Sequence, residues 1–381
     1  MPLLRTDATQ VCTFNPDMSR PRWLGQIGHV EALTYSWVCP GGCDQLSCTL
    51  MVEATVRTEA MNPGRIVQAF RGGGVIWEGI LQEPQPSASG WKITALGAGN
   101  YGTNFVATYT NTWPTGLPDQ AVNSAITRGL RWANPGIGSP ANIWLGQAVD
   151  SGAQTITDLL NLCCTYGSLT WYVSTSVYGN KLSVFTLPST PTNLLVSASP
   201  VARTLGGDVN TVVERYESAA DNSTAGTAAT YTNTTSTDTA SVTAYGPLEQ
   251  YIDLTQAGVM TSSAAKAVGT NLLNRYQRAS FAGPFLLGPQ QLRTMGGQSV
   301  DLGLGMPAAP MVCQLVLTDY GYGGEVSLLP PISFLVGSYS YDDDSQTAQV
   351  TPFQYQSDSF SDLMSTATTM LPQPATDDSS S

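Results

Sequence analysis

The sequence predicts a mainly β chain carrying an α+β insert, and three observations predict it. Short alternations of apolar and polar residues, punctuated by Gly and Pro turns, run through residues 1–100 and again through 201–355. Helical stripes interrupt that texture between residues 101 and 200. An internal echo is the third: the turn-and-strand order of residues 62–102 recurs near residue 297. Together these predict two similar β-barrels on either side of an insert, followed by an acidic polar arm over 356–381.

In the first hundred residues the candidate strands lie near Cys12–Phe14, Ala32–Val38, Ser47–Ala54, Arg65–Phe70, Val75–Leu81 and Trp91–Leu96. Gly72-Gly73-Gly74 reads as a hairpin turn. Within the insert, Pro118 and Asp119 mark a helix start, and Val122, Ile126, Gly129 and Leu130 form its face up to about Trp132. A short strand follows at Ile143–Leu145. A second helix starts near Gln154, where Thr155 and Asp158 have the spacing of a capping box and Ile156, Leu159, Leu160 and Cys163 share a face. Strands Ser168–Thr175 and Lys181–Leu187 are expected to turn at Gly179-Asn180.

From residue 201 the pattern returns to β. Val209–Tyr216 and Leu248–Leu254 alternate, and the Ser/Thr/Ala/Gly-rich residues 219–244 between them read as a long loop or hairpin tip. The best helix is Met260–Ser280, with Ala264, Ala265, Val268, Leu272 and Tyr276 on one stripe. Strands are then expected near Pro284–Leu287, Ser299–Gly303, Met311–Thr318, Glu325–Leu329, Ser333–Tyr341 and Thr347–Phe353. In the echo, Gly64 to Val67, Val75 to Leu81 and Trp91 to Thr94 are matched by Gly297 to Val300, Met311 to Leu317 and Glu325 to Leu328. Three such chains set head to tail would present six similar walls.

Composition narrows the function. Hydrophobic residues make up 42% of the chain, enough for a sizeable core, but charged residues only 12%, against roughly 25% in ordinary soluble chains. That surface suits a protein that covers much of itself with partners. A net charge of −12 without a basic cluster argues against binding nucleic acid through its phosphates. The first residues lack the apolar run of a signal peptide, and no stretch reaches about 18 apolar residues, so a cytoplasmic origin without stable membrane insertion is expected. Seven cysteines, an odd number, fit reduced thiols better than a full disulfide framework.

The run Cys39-Pro-Gly-Gly-Cys43-Asp-Gln-Leu-Ser-Cys48, leading into Asn62-Pro-Gly-Arg-Ile-Val67 and Val75-Ile-Trp-Glu-Gly-Ile-Leu81, resembles the N-terminal barrel of tail hub proteins. These minor tail proteins belong to phages of actinobacteria with long non-contractile tails. The later order is similar to the wider baseplate-hub family: Thr155 to Leu160, Trp171-Tyr-Val173, Asp208 to Tyr216, then Tyr245-Gly-Pro-Leu-Glu249. This likeness spans roughly residues 20–355. It implies a homotrimeric hub with pseudo-six-fold symmetry that joins a six-fold tail tube to a three-fold tip. The implied partners are the tail tube or distal tail protein ring, other tip proteins and the tape measure protein. The implied location is the virion tail tip, as part of the DNA-ejection conduit.

Read for chemistry, the residues yield less. Gly97-Ala-Gly99-Asn-Tyr-Gly102 follows a strand as a G-x-G-x-x-G, but the β-branched and aromatic residues after it give no helix to meet a pyrophosphate, so no cofactor is expected. Cys39, Cys43 and Cys48, with Cys12 as a fourth donor, match a zinc knuckle poorly; a disulfide and free thiols are the other readings, and free thiols suit the spacing best. Asp342, Asp343 and Asp344 lie between two strands, as a calcium site or, more simply, an acidic hairpin turn. His29 is the one histidine, and no nucleophile or zinc-protease motif accompanies it. The expectation is therefore a structural protein without catalysis. A receptor- or carbohydrate-binding tail module is the alternative, and a cell-wall hydrolase stands behind that.

Overall fold

The computed structural model describes residues 8–53, 55, 57–106, 131–133, 155–158, 160–161, 169–176, 178–186, 193–196, 203–204, 209–218, 230–255, 259–276, 280–281, 284–294, 298–305, 312–316, 318–320, 326–328 and 332–352. The body of the helix expected from Asp119, the strand expected at Ile143–Leu145 and the 356–381 arm lie outside the described residues.

Strands form near the six expected stretches, and two further short ones form at Arg22–Trp23 and Gln85–Ser87, where none was expected. They are β1 (Gln10–Phe14), β2 (Arg22–Trp23), β3 (His29–Val38), β4 (Gly41–Met51), β5 (Ile66–Arg71), β6 (Gly74–Leu81), β7 (Gln85–Ser87) and β8 (Gly90–Gly97), with the short helix α1 (Leu24–Ile27) between β2 and β3. Antiparallel pairing runs in the order β2–β1–β5–β6–β8–β4–β3. Along β4, Leu46, Cys48 and Leu50 are buried while Ser47 and Thr49 are not, the period-two signature of one face on a core. Gly72 and Gly73, both at positive φ, make the β5–β6 turn.

In the insert, the capping box forms. The Thr155 hydroxyl and amide both donate to Asp158 Oδ2, at 2.6 and 3.3 Å, and the Asp158 amide donates back to Thr155 Oγ1 at 3.1 Å. Ile156 and Leu160 behind it are buried. The following strands are β9 (Trp132–Ala133), β10 (Leu169–Ser176), β11 (Gly179–Thr186) and β12 (Asn193–Val196). Trp132, expected as a helix end, is a strand residue. The β10–β11 hairpin pairs Ser176 with Gly179, so its turn lies before the Gly179-Asn180 step where it was expected. Gly179 and Asn180 are instead the first paired residues of β11.

A separate small unit follows. It comprises β13 (Arg203–Thr204), β14 (Thr211–Ser218), β15 (Tyr231–Thr237), α2 (Thr239–Tyr245), β16 (Glu249–Asp253), β17 (Val259–Met260), α3 (Ser262–Tyr276) and β18 (Ser280–Phe281). β14 is central, antiparallel to β15 and parallel to β16 and β17. Residues 219–244 were expected to be a long loop or hairpin tip; within and just beyond them 231–237 form a strand returning antiparallel to β14, and 239–245 a helix. Thr-rich alternation is legitimate strand chemistry, and Asp238 caps α2 by accepting from the Ala240 and Ser241 amides. Val212, Tyr216 and Ile252 pack with Ala265, Leu272 and Leu273 of α3 in a core of their own.

The remaining strands are β19 (Phe285–Leu287), β20 (Leu292–Thr294), β21 (Val312–Val316), β22 (Thr318–Tyr320), β23 (Val326–Leu328), β24 (Ile332–Asp342) and β25 (Thr347–Pro352). β24 is long enough to serve two sheets. Its first residues pair with β21, which also carries β12 and through it β20; its later residues lie between β25 and β3. The sheet begun by the first hundred residues is thus completed by strands from the chain's last described stretch, ending at β19. Among the described residues the pairings leave it open, so no closed barrel forms there. The echo does not hold at the level of pairing. Residues 302–304 are a 3-10 helix where a strand was expected, and β21 and β23 do not pair as β5, β6 and β8 do. One core joins the N-terminal strands, Ile156 to Val184 of the insert, and Phe285 to Val350.

Candidate functional site

Arg71 lies at the end of β5, where the Gly72-Gly73 turn leaves its side chain directed inward and 4% exposed. Its Nε donates to Asp301 Oδ2 and its Nη1 to Asp343 Oδ1, both at 2.7 Å, and the guanidinium lies 5.2 Å from the centre of the Tyr341 ring. Gly303 leaves space for it: a Cβ there would stand 2.4 Å from the Arg71 side chain. Tyr35 and Tyr339 donate to the Gly303 and Leu302 carbonyls, each at 2.8 Å. Three distant parts of the chain are therefore tied at one guanidinium. A cleft of about 320 Å³ opens beside it, lined among others by Gln290, Asp301, Tyr341 and Gln346. Two carboxylates already bracket Arg71, so the cleft offers no unneutralised cation to an anion.

This clamp also places the acidic triplet. Asp342 accepts from the Asp344 and Ser345 amides, Asp343 holds Arg71 and Thr9, and Asp344 accepts from the Ala32 amide at 2.9 Å. Each carboxylate is engaged by protein donors. The triplet builds the β24–β25 turn and fastens it to β3.

The thiols are scattered through the core. Cys12, Cys39, Cys43 and Cys48 are all buried and free. Cys39 and Cys43 lie against the Thr170 and Thr175 hydroxyls of β10, at 3.5 and 3.3 Å. Burial pushes Cys12, Cys39 and Cys43 up to about 11 and Cys48 to about 12. Among the described residues no three of His, Cys, Asp and Glu gather as metal donors. In this arrangement the four buried thiols stay free and fill space between strands.

A second highly connected polar group belongs to no motif in the sequence. Glu78 on β6 is fully buried, yet it accepts from Gln68 and Asn180, each at 2.6 Å, from Arg131 at 3.0 and 3.3 Å and from Tyr101 at 3.4 Å. Gln68 is its cross-strand partner; Asn180 and Arg131 come from the insert. Burial opposes the Arg131 charge, but its bonds to Glu78 outweigh that and raise its pKa. One signal was visible: a lone charge within the apolar run of β6, which costs too much to bury unpaired.

The G-x-G-x-x-G also acquires a reason. Residues 98–104 form a 3-10 helix against β4. A Cβ on Gly97 would lie 2.1 Å from the Cys43 carbonyl oxygen, and one on Gly99 2.9 Å from it. Those glycines permit the close approach of the segment to the backbone of β4. His29 is exposed, 3.5 Å from Glu31. Trp37, Trp77, Trp91 and Trp171 are buried, so none of them offers a sugar platform.

The open face of the β14–β15–β16 sheet has a different character. Alternation sends Val212, Glu214 and Tyr216 inward, leaving Val213, Arg215 and Glu217 on the opposite side. Tyr251 pairs beside Val213, and the guanidinium of Arg215 lies 5.1 Å from the ring centre of Tyr231. Both tyrosines are half exposed, at 53% and 50%. Amphipathic rings beside a charge are the composition of a contact surface.

No family model and no curated protein sequence matches the chain. Solved structures do. A prophage tail protein, gp18, of Listeria monocytogenes EGD-e superposes with a TM-score of 0.59 at 11% identity, over 96% of this chain and 100% of its own. The 43 kDa tail protein of prophage MuSo2 from Shewanella oneidensis gives 0.57 at 12% identity, over 92% and 98%. A tail protein of Neisseria meningitidis MC58 gives 0.58 at 11%, over 91% and 97%. At such identity the likeness concerns the path of the backbone. Over nine-tenths of its length or more, this chain has the fold of these three phage tail proteins.

Proposed function

We propose that this chain is a structural protein of a phage tail, and specifically the central hub of the tail tip. One observation carries the reading: the match to tail proteins covers nearly the whole of each partner, so the shared fold is the entire architecture and not one common domain. The sparse surface charge and the open tyrosine-bearing sheet face support it, since a hub covers much of itself with neighbours. On this reading three copies form a ring in the virion, joining the six-fold tail tube or distal tail protein ring to a three-fold tip. They contact the tape measure protein and other tip proteins and wall part of the DNA path, without catalysis.

Electron microscopy and native mass spectrometry of the purified full chain, alone and mixed with its tail-tube neighbour, test this. A three-fold ring is expected. Antibody labelling that marks the tail shaft or capsid instead of the tip would overturn the hub assignment. The exposed tyrosine face favours a second reading, a receptor-binding tail protein, and binding to glycans on an array would select it.

A further inference from the structure

Glu214 lies at the centre of the small unit, on the face of β14 that α3 covers. It is fully buried, and neither carboxylate oxygen has a hydrogen-bond partner. The nearest hydroxyl, Ser236 on β15, donates to the Lys266 carbonyl of α3 at 3.1 Å and so spends its proton elsewhere. Gly269 of α3 rests on the carboxyl so closely that a Cβ there would fall 1.4 Å from Glu214 Oε1. Among the described residues nothing packed around it supplies a compensating cation. Across the strands its neighbours are Thr234 and Ile252, and β15 bears no charged residue. Arg215 and Glu217 of β14 and Asp253 of β16 alternate onto the opposite face. From α3, the charge whose placement is described is Lys266, which is exposed.

A bare carboxylate without donors is among the costliest groups to bury, whereas a neutral carboxylic acid there costs about as much as any single polar group. We propose that Glu214 sits beneath α3 as the neutral acid, and that its ionisation is a proton-operated release of α3 from the β14 sheet. The direction of its titration agrees: burial raises its pKa and is the largest influence on it. An acid whose folded pKa is raised stabilises fully below its unfolded value of about 4.3 and loses that contribution as pH rises through the folded value. α3 is therefore seated most firmly under acidic conditions and loosens toward neutral and alkaline pH. Gly269 is a poor helix former in mid-helix, and its lack of a side chain provides the seat.

Hydrogen–deuterium exchange of the full chain, corrected for intrinsic rates and run from about pH 4 to about pH 9, reads the device directly. In the wild type, protection of α3 and β14 is expected to fall by up to about tenfold per pH unit between the unfolded value of about 4.3 and the folded pKa, the slope of one proton, and to level off above it. Glu214→Gln, which mimics the neutral acid, is expected to abolish that slope in α3 while leaving β4 and β8 unaffected. Protection independent of pH in the wild type, or an unchanged slope in Glu214→Gln, would overturn the proposal. Carbon-13 NMR of the wild-type glutamate carboxyls decides independently of any variant. A Glu214 signal titrating at or below the ordinary value of about 4.3 sinks the idea, and one titrating above it upholds it.

Discussion

Glu78 gathers Gln68, Tyr101, Arg131 and Asn180 onto one buried carboxylate, so its removal leaves several donors unsatisfied at once. Glu78→Ala is expected to destabilise the larger core by about 3–5 kcal/mol, seen as a lowered urea midpoint with loss of near-UV dichroism. A midpoint within error of wild type would show that water replaces the carboxylate. The thiols make a separate prediction about alkali. Their folded pKa values, about 11 to about 12, exceed the ordinary 9.0, so the unfolded chain ionises first as pH rises. The stability they contribute is complete below about 9 and is lost through the range up to about 12. Urea midpoints should therefore fall steeply above about pH 9, and Cys48→Ala should remove one proton from that slope. At neutral pH the same burial should protect Cys12, Cys39, Cys43 and Cys48 from a thiol reagent until denaturant is added.

Among the elements, the 3-10 segment Ala98–Asn104 gives the glycines of the G-x-G-x-x-G a steric role. Gly97 and Gly99 are required where the segment presses on the backbone of β4. Gly97→Ala is expected to cost about 1–3 kcal/mol by overpacking, with the loss of protection in hydrogen exchange centred on β4 and β8. A neutral outcome would mean that the 3-10 segment can move aside. At the start of α2, Asp238 holds two amides, and Asp238→Ala should lower the stability of the small unit by about 1 kcal/mol, leaving the larger core untouched.

For the whole molecule the governing fact is that the first and last described strands share one sheet and one core. A fragment ending at residue 106 would expose the edge of β3 together with Tyr35 and Trp37, which pack on Tyr341 and Tyr339. It is expected to aggregate or to give a poorly dispersed NMR spectrum, and a well-dispersed one would contradict a shared core. Local order was legible in the residues themselves. Period-two alternation located β3, β4, β5, β6 and β8, the Thr155–Asp158 spacing located a helix start, and the α3 stripe located the one long described helix, because each depends on neighbours within a few positions. The Thr-rich β15 was hidden, since its polar alternation becomes a strand only beside β14. Partnership across hundreds of residues was hidden too. That β24 serves two sheets, that Arg71 finds Asp301 and Asp343, and that Glu78 finds Asn180 depend on which surfaces meet, and a hydrophobic pattern says which face is buried without saying against what. The sequence by itself determined the mainly β texture and the approximate positions of the strongly alternating strands. Only the tertiary structure decided that the ends of the chain complete one another, because strand pairing satisfies backbone groups with whichever edge the packing brings alongside.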